Sequence, residues 1–316
     1  MAIRAQSIAP FRRRKHTLAV LLNCALVLIC AVMLFPIAST LVLSLKREAD
    51  VHRQPPLLLP CDTATASFDI AACRFVAEGY ARVLLLREST TAPGFRIEGR
   101  IWTTYLPNTI LYASSSAALV TLLAALSAYA YSRFRFRGRR ALLVGTLLVS
   151  GVPLLTMLLA LLQVGNALRR TLPGFDDRVF MIVVYIGFEL PFAIWIAKSF
   201  FDSIPRELEQ AALIDGATPL GALGRIVVPL AAPGLFSVFL LSFVQVWNDF
   251  TLNYFLINQQ AFRGAIYGVY DYIAASGISY NALAAACVTV ALPVVVVFLF
   301  ARRVFFLAML EGAVKG

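Results

Sequence analysis

The sequence predicts an all-α integral membrane protein with six transmembrane helices, and three observations carry that prediction. Of the 316 residues, 60% are hydrophobic and only 14% are charged, and the mean hydropathy of +0.79 lies far above that of a soluble domain. Six charge-poor apolar runs, at 17–45, 101–132, 141–168, 179–197 (broken only by Glu189), 226–248 and 273–301, each suffice to cross a bilayer core. That core is about 30 Å thick and needs roughly 20 apolar helical residues. Finally, Lys and Arg gather in alternate connections between the runs, the pattern that positive charge imposes because it resists translocation.

Each run overshoots its helix, so the helices are placed at 18–44, 106–132, 141–165, 179–199, 226–248 and 281–301. The first follows a basic tail and resembles a secretory signal. Its 29-residue apolar run is too long for that and reads as an uncleaved anchor. The tail, the links after helices two and four, and the segment after helix six carry 16 basic residues against Asp202, Glu207, Glu209, Asp215 and Glu311. The other three loops nearly balance. All the excess of +11 therefore falls on one side, which predicts cytoplasmic N- and C-termini. The basic residues form short clusters beside membrane segments rather than one patch, which argues for anionic lipid and against nucleic acid as their partner.

Cys24, Cys30 and Cys287 fall inside apolar helices and read as small hydrophobic residues. Cys61 and Cys73 lie in the long exoplasmic loop, where oxidation permits a disulfide, though spacing alone leaves them bridged or free. In the same loop PPLLLP at 55–60 reads as a turn or polyproline stretch, and 75–86 as a short amphipathic helix. With only His16 and His52, and no clustered ligands, no metal site is expected. No phosphate loop, zinc-protease helix or nucleophile elbow is present, so no catalytic residue is assigned.

The polar stretch ELEQAALIDGATPLGALGRIVVP at 207–229 predicts a helix, a tight turn and a second helix. Pro205 suits a helix start, and Glu207 and Glu209 face the positive end of its dipole. Leu208, Ala211 and Ala212 form a narrow stripe of small side chains. Gly216 is the expected left-handed stop, and Thr218-Pro219 the cap of a helix running into the fifth apolar segment. Two readings fit these residues: an amphipathic connector lying on the bilayer, and a protein-docking element. Interfacial helices favour basic residues beside large apolar ones, so an acidic, alanine-rich stripe fits a protein partner better.

Inside the membrane, Glu189 sits near mid-bilayer, where a charge costs about 2.5–3.5 kcal/mol by insertion scales and needs a partner or a cavity. Pro191 predicts a kink that frees the Gly187 carbonyl. Glu189 fits either a substrate path or a structural helix contact. After helix five, Trp247, Asn248, Asp249, Asn253 and Tyr254 mix aromatic plates with amides and a carboxylate. Sugars favour that mixture, but an interfacial aromatic belt has the same composition.

The 207–229 stretch resembles the EAA signature of ABC importer permeases: Glu-Ala-Ala, three residues, Gly, nine residues, Ile-x-Leu-Pro. Ala211, Ala212, Asp215, Gly216, Ala217, Ile226 and Pro229 match it; Gln210 replaces its Glu, with Glu209 one place earlier, and Val228 replaces its Leu. AYAYSRFRFRGRR at 128–140, LPFAIWIAKSFF at 190–201, VWNDF at 246–250 and GAVKG at 312–316 resemble the carbohydrate-importer branch related to the smaller permease subunit of the maltose transporter. The resemblance runs from about Trp102 to the C-terminus and includes helix one; the outer loop departs from it.

The resemblance implies a type I ABC importer permease fold in a bacterial inner membrane. It further implies a coupling helix, formed by Glu207, Leu208, Glu209, Gln210, Ala211, Ala212, Asp215, Gly216 and Ala217, that docks on an ATP-binding subunit. The implied partners are a homologous second permease, two ATPase copies holding ATP and magnesium, and an extracytoplasmic solute-binding protein or lipoprotein. The expected organisation is a basic tail at 1–17, helix one at 18–45 and an exoplasmic loop or cap at 46–101. A core permease domain at 102–301, with its coupling loop at 202–229, and a tail at 302–316 complete it. The competing classes are a secondary transporter or channel, which would carry inverted repeats or several intramembrane charges, and a membrane enzyme with clustered acids or histidines.

Overall fold

The computed structural model describes the backbone of residues 9–52, 74–84, 100–274 and 279–313, and side chains from 18 to 302 within those limits. Cys61, Cys73 and the 55–60 stretch lie outside the described residues. Among the described residues all regular structure is helical. The chain divides into two compact units, one of residues 1–81 and 279–288, the other of residues 82–278 and 289–316.

In the first unit α1 (Ala9–Ser44) carries the most apolar span, Leu18–Ser44, most of whose side chains are exposed. In α2 (Glu48–Val51), the Glu48 carboxylate accepts hydrogen bonds from the Tyr280 and Asn281 backbone N–H groups at 3.0 and 3.1 Å. It thereby caps the start of α13 (Tyr280–Ala313), where orphan donors and the helix dipole favour an anion. The expected amphipathic helix appears as α3 (Glu78–Leu84).

The second unit is organised around α4 (Leu106–Arg133), which packs against both α7 (Asp177–Ser203) and α10 (Val228–Trp247). A π-turn at Ile101–Tyr105 leads into α4. Alanines at 124, 128, 193, 197 and 231 line the contact, and small side chains bring the helix backbones close enough for dispersion to replace the missing hydrophobic drive in lipid. Gly234 marks the closest approach, since a Cβ there would stand 2.2 Å from the Phe200 ring.

Among the described residues five helices, Leu18–Ser44, Ile101–Arg133, Asp177–Ser203, Pro219–Trp247 and Tyr280–Arg302, are long and apolar enough to span a membrane, or six if the bent pair Arg139–Ser150 and Leu154–Thr171 crosses as one broken span. The third predicted helix, 141–165, is corrected. It is two helices, α5 (Arg139–Ser150) and α6 (Leu154–Thr171), meeting at 90°. Gly151 and Pro153 explain the break: glycine weakens the helix, and Pro153, extended at ψ 132°, removes a donor where the chain turns. The elbow is tied back to α7 by the Trp195 indole, which donates to the Leu143 carbonyl at 3.0 Å.

By contrast α7 runs unbroken through Pro191. Between it and the elbow lies an apolar cavity of about 510 Å³, lined in part by Met157, Leu161, Phe180, Gly187 and Pro191. Beyond α10, α11 (Thr251–Leu256) and α12 (Ala265–Ala274) occupy a stretch for which the sequence reading assigned no element.

Candidate functional site

The 207–229 stretch folds as its cap and stop signals dictate. The helix α8 (Arg206–Ile214) starts after Pro205, carries Glu207 and Glu209 in its first turn, and ends on Asp215. Gly216 adopts φ +88°, a conformation that a Cβ disfavours, and closes the helix. The Ala217 N–H reaches the Ala212 carbonyl at 2.9 Å and the Gly216 N–H the Leu213 carbonyl at 3.1 Å. This pair of bonds is a Schellman C-cap. Thr218 then caps α9 (Pro219–Ala222), accepting from the Gly221 N–H at 3.1 Å, and α9 continues through a π-turn (Leu223–Val227) into α10.

One face of α8 is open. Glu207, Leu208, Gln210, Ala211, Asp215 and Gly216 are exposed, with Ala212 and Ala217 half-buried. The face also presents Leu213, Ile214 and Leu220, the last two 85% and 72% exposed, which the sequence reading did not single out. Large apolar side chains left in the open on a capped, rigid helix are candidate contact anchors. Their signal was in the sequence, since Ile214 lies four residues after Gln210 on the same side of the helix.

Glu209, named with the docking residues, turns inward. Its side chain is 10% exposed, and the Arg133 Nε lies 2.8 Å from its Oε2 with the arginine side chain 7% exposed. The Tyr129 hydroxyl donates to its Oε1. Paired this way in the middle of α8, Glu209 faces α4 instead of facing outward.

The expected substrate-path residues do not converge on one surface. Trp247 is 2% exposed, its indole N–H donating to the Val290 carbonyl at 3.2 Å, so it is a core side chain and neither sugar plate nor interfacial belt. Asn253 is buried as well, its Oδ1 accepting from the Gly264 N–H at 2.7 Å. The Asp249 carboxylate accepts from the Tyr185 hydroxyl at 2.9 Å and the Asn253 N–H at 3.1 Å, stapling α11 to α7. Burial pushes the Asp249 carboxyl above the usual aspartate range, against the pull of those donors. Asp271 on α12 is raised for the same reason, although Tyr105 donates to it at 3.0 Å.

Asn248 is exposed and bonds back to the Val244 carbonyl at 2.8 Å. Tyr254 sits half-buried among Phe250, Phe255, Tyr267 and Tyr270, with ring centroids between 5.0 and 5.8 Å. Glu189 stands apart, half-buried one helical turn beyond Tyr185, with no hydrogen bond or ion pair to its side chain among the described residues. Sequence reasoning missed Tyr185, the side chain that joins α7 to this cluster; a tyrosine inside an apolar run carries no local sign of its partner.

Comparison with known proteins is consistent across sequence and fold. The chain is 32% identical over 236 residues to the trehalose transport system permease protein SugB of Mycobacterium tuberculosis, covering 73% of this chain and 85% of that one. It is 31% identical over 230 residues to the maltose/maltodextrin transport system permease protein MalG of Vibrio vulnificus, covering 72% and 76%. Its fold matches a chain of a bacterial ABC transporter involved in import of the acidic polysaccharide alginate, with a TM-score of 0.68, 21% identity and coverage of 95% and 99%. Residues 120–309, which include the α4 terminus, α8 and α10, match the family described as the binding-protein-dependent transport system inner membrane component. The chain belongs to that family of multi-pass membrane transport permeases.

Proposed function

We propose that this permease imports a sugar or related polyol by ATP-driven alternating access, as one half of a translocation pathway completed by a homologous second permease. Two ATPase copies, carrying ATP and magnesium, dock on α8, and an extracytoplasmic solute-binding protein delivers the substrate. The termini then lie in the cytoplasm, on the side of α8 and of the basic clusters.

The observation that carries this reading is the open face of α8. This short, capped helix carries the EAA-like residues and presents Leu208, Leu213 and Ile214 to the surroundings, and α9 adds Leu220. Closure of the ATPase pair would displace that helix, and the rigid helices joined to it would reorient the pathway. The trehalose and maltose/maltodextrin permeases among its relatives support the substrate class.

The test is uptake of labelled trehalose, maltose and maltodextrin by proteoliposomes holding the full complex, with and without ATP. ATP-dependent accumulation of one of them is expected. Uptake that proceeds without ATP would favour a secondary transporter or channel. Gly216→Pro supplies the mechanistic control, because proline cannot adopt the positive φ at that turn. Loss of coupling between hydrolysis and uptake is expected, and normal uptake in that variant would sink docking through α8.

A further inference from the structure

The last turn of α4 grips α8 at its start, its middle and its far end. At the start, the Arg133 guanidinium donates to the Ile204 carbonyl at 3.2 Å, and Arg206 donates to the Ser132 carbonyl at 2.7 Å. In the middle, Arg133 and Tyr129 hold the Glu209 carboxylate. Past the end, the Tyr129 hydroxyl lies 3.2 Å from the Pro219 carbonyl. Tyr129, Ser132 and Arg133 thus reach both loops that flank α8 as well as the helix itself. On α7, Asp202 accepts from the Ser132 hydroxyl at 2.6 Å and pairs with Lys198, so the grip extends into a second helix.

We propose that Glu209 is a positioning residue that locks α8 to α4, so that displacement of α8 carries α4 with it as one rigid piece. The proposal rests on the docking reading of α8. Two features single Glu209 out. It is the one buried residue of α8, while Gln210 next to it is exposed. A shift of one residue turns a side chain about 100° around a helix. An acid at 210 would face outward, and the acid at 209 faces the α4 arginine instead. A charge pair withdrawn from water also has few alternative arrangements, since either member left alone is an uncompensated buried charge. The linkage therefore resists slipping in a way that an exposed ion pair does not.

The experiment uses the complete complex in proteoliposomes, with spin labels at Gln210→Cys on α8 and Leu126→Cys on α4, both exposed positions. Inter-label distance is measured without nucleotide and after ATP–vanadate trapping. With Glu209 intact the distance is expected to stay fixed. In Glu209→Gln, and in the double variant Glu209→Leu with Arg133→Met, trapping is expected to change it by up to about 5 Å, one helical turn. The double variant fills the site with apolar groups, so it retains a folded chain where a single change leaves a bare charge. A distance that changes in the intact protein, or stays fixed in both variants, overturns the lock. Co-purification of the ATPase subunits is scored in parallel with Ile214→Asp. If Ile214→Asp leaves co-purification unaltered, docking on α8 fails and the lock falls with it; if it abolishes co-purification while the distances defy expectation, only the lock is wrong.

Discussion

The two ends of the α9–α10 rod both carry polar and aromatic residues that invite a functional reading, and they differ in what those residues touch. At the end joined to α8, the turn is closed by its own backbone through Gly216 and Thr218, which leaves Ile214 and Leu220 open. At the end joined to α11, Trp247, Asp249 and Asn253 spend their polar atoms on Val290, Tyr185 and Gly264. The first end closes its turn locally and, though Tyr129 and Arg133 tie it to α4, keeps Ile214 and Leu220 open to a partner. The second is satisfied by distant parts of the same chain and serves as scaffold. A site is recognised by what its residues leave free of the rest of the chain, more than by which residue types it contains.

The largest effect that would break this contrast is expected at Trp247. Replacing it with alanine removes a side chain that is 98% buried together with its bond to Val290, and core Trp→Ala changes cost about 3–5 kcal/mol. Thermal unfolding in detergent should show the loss, with Asn248→Ala beside it nearly neutral. Equal effects at the two positions would return Trp247 to the class of surface residues. At the other end Leu220→Asp, at a position 72% exposed, should leave the unfolding temperature unchanged and weaken ATPase binding by about 2 kcal/mol, roughly thirtyfold. A lowered unfolding temperature with full binding would mean that the face is packed within the chain.

What the sequence made legible follows the same division. The α8 turn was readable because its signals are local: a left-handed glycine, a threonine cap and a proline each act on the few residues beside them. Helix boundaries at 44, 133 and 247–248 were readable because charge and polarity end apolar runs. The elbow at 151–153 was missed even though Gly151 and Pro153 stood in view, because run length was allowed to outweigh two breakers. Glu209 and Trp247 were misplaced for a deeper reason. Inward and outward positions on a helix differ by one residue, and only Arg133, 76 positions earlier, and Val290, 43 later, decide which is which.

Thr218→Ala tests the local closure at smaller magnitude. Loss of a threonine N-cap costs about 1 kcal/mol and should loosen the start of α9 while the Glu209–Arg133 pair keeps α8 on α4. Hydrogen exchange at Gly221 should quicken, while Trp247 fluorescence stays as it was. A change at Trp247 instead would show that the two ends of the rod are not independent.

The smallest expected effect concerns pH at the scaffold end. Burial raises the Asp249 carboxyl above its unfolded value, so the folded chain holds that proton more tightly than the unfolded one. Stability from this group is then greatest below the unfolded pKa and falls as pH rises through the folded one, the reverse of a salt-bridged aspartate. Asp249→Asn keeps an acceptor for the Tyr185 hydroxyl and for the first turn of α11, and removes the titration. Unfolding temperatures measured from acidic to neutral pH should lose this downward slope in the variant, with a small gain at neutral pH. A variant that is instead weakened at neutral pH would mean that the carboxylate charge is itself useful there, and that this end of the rod has a polar partner beyond the chain.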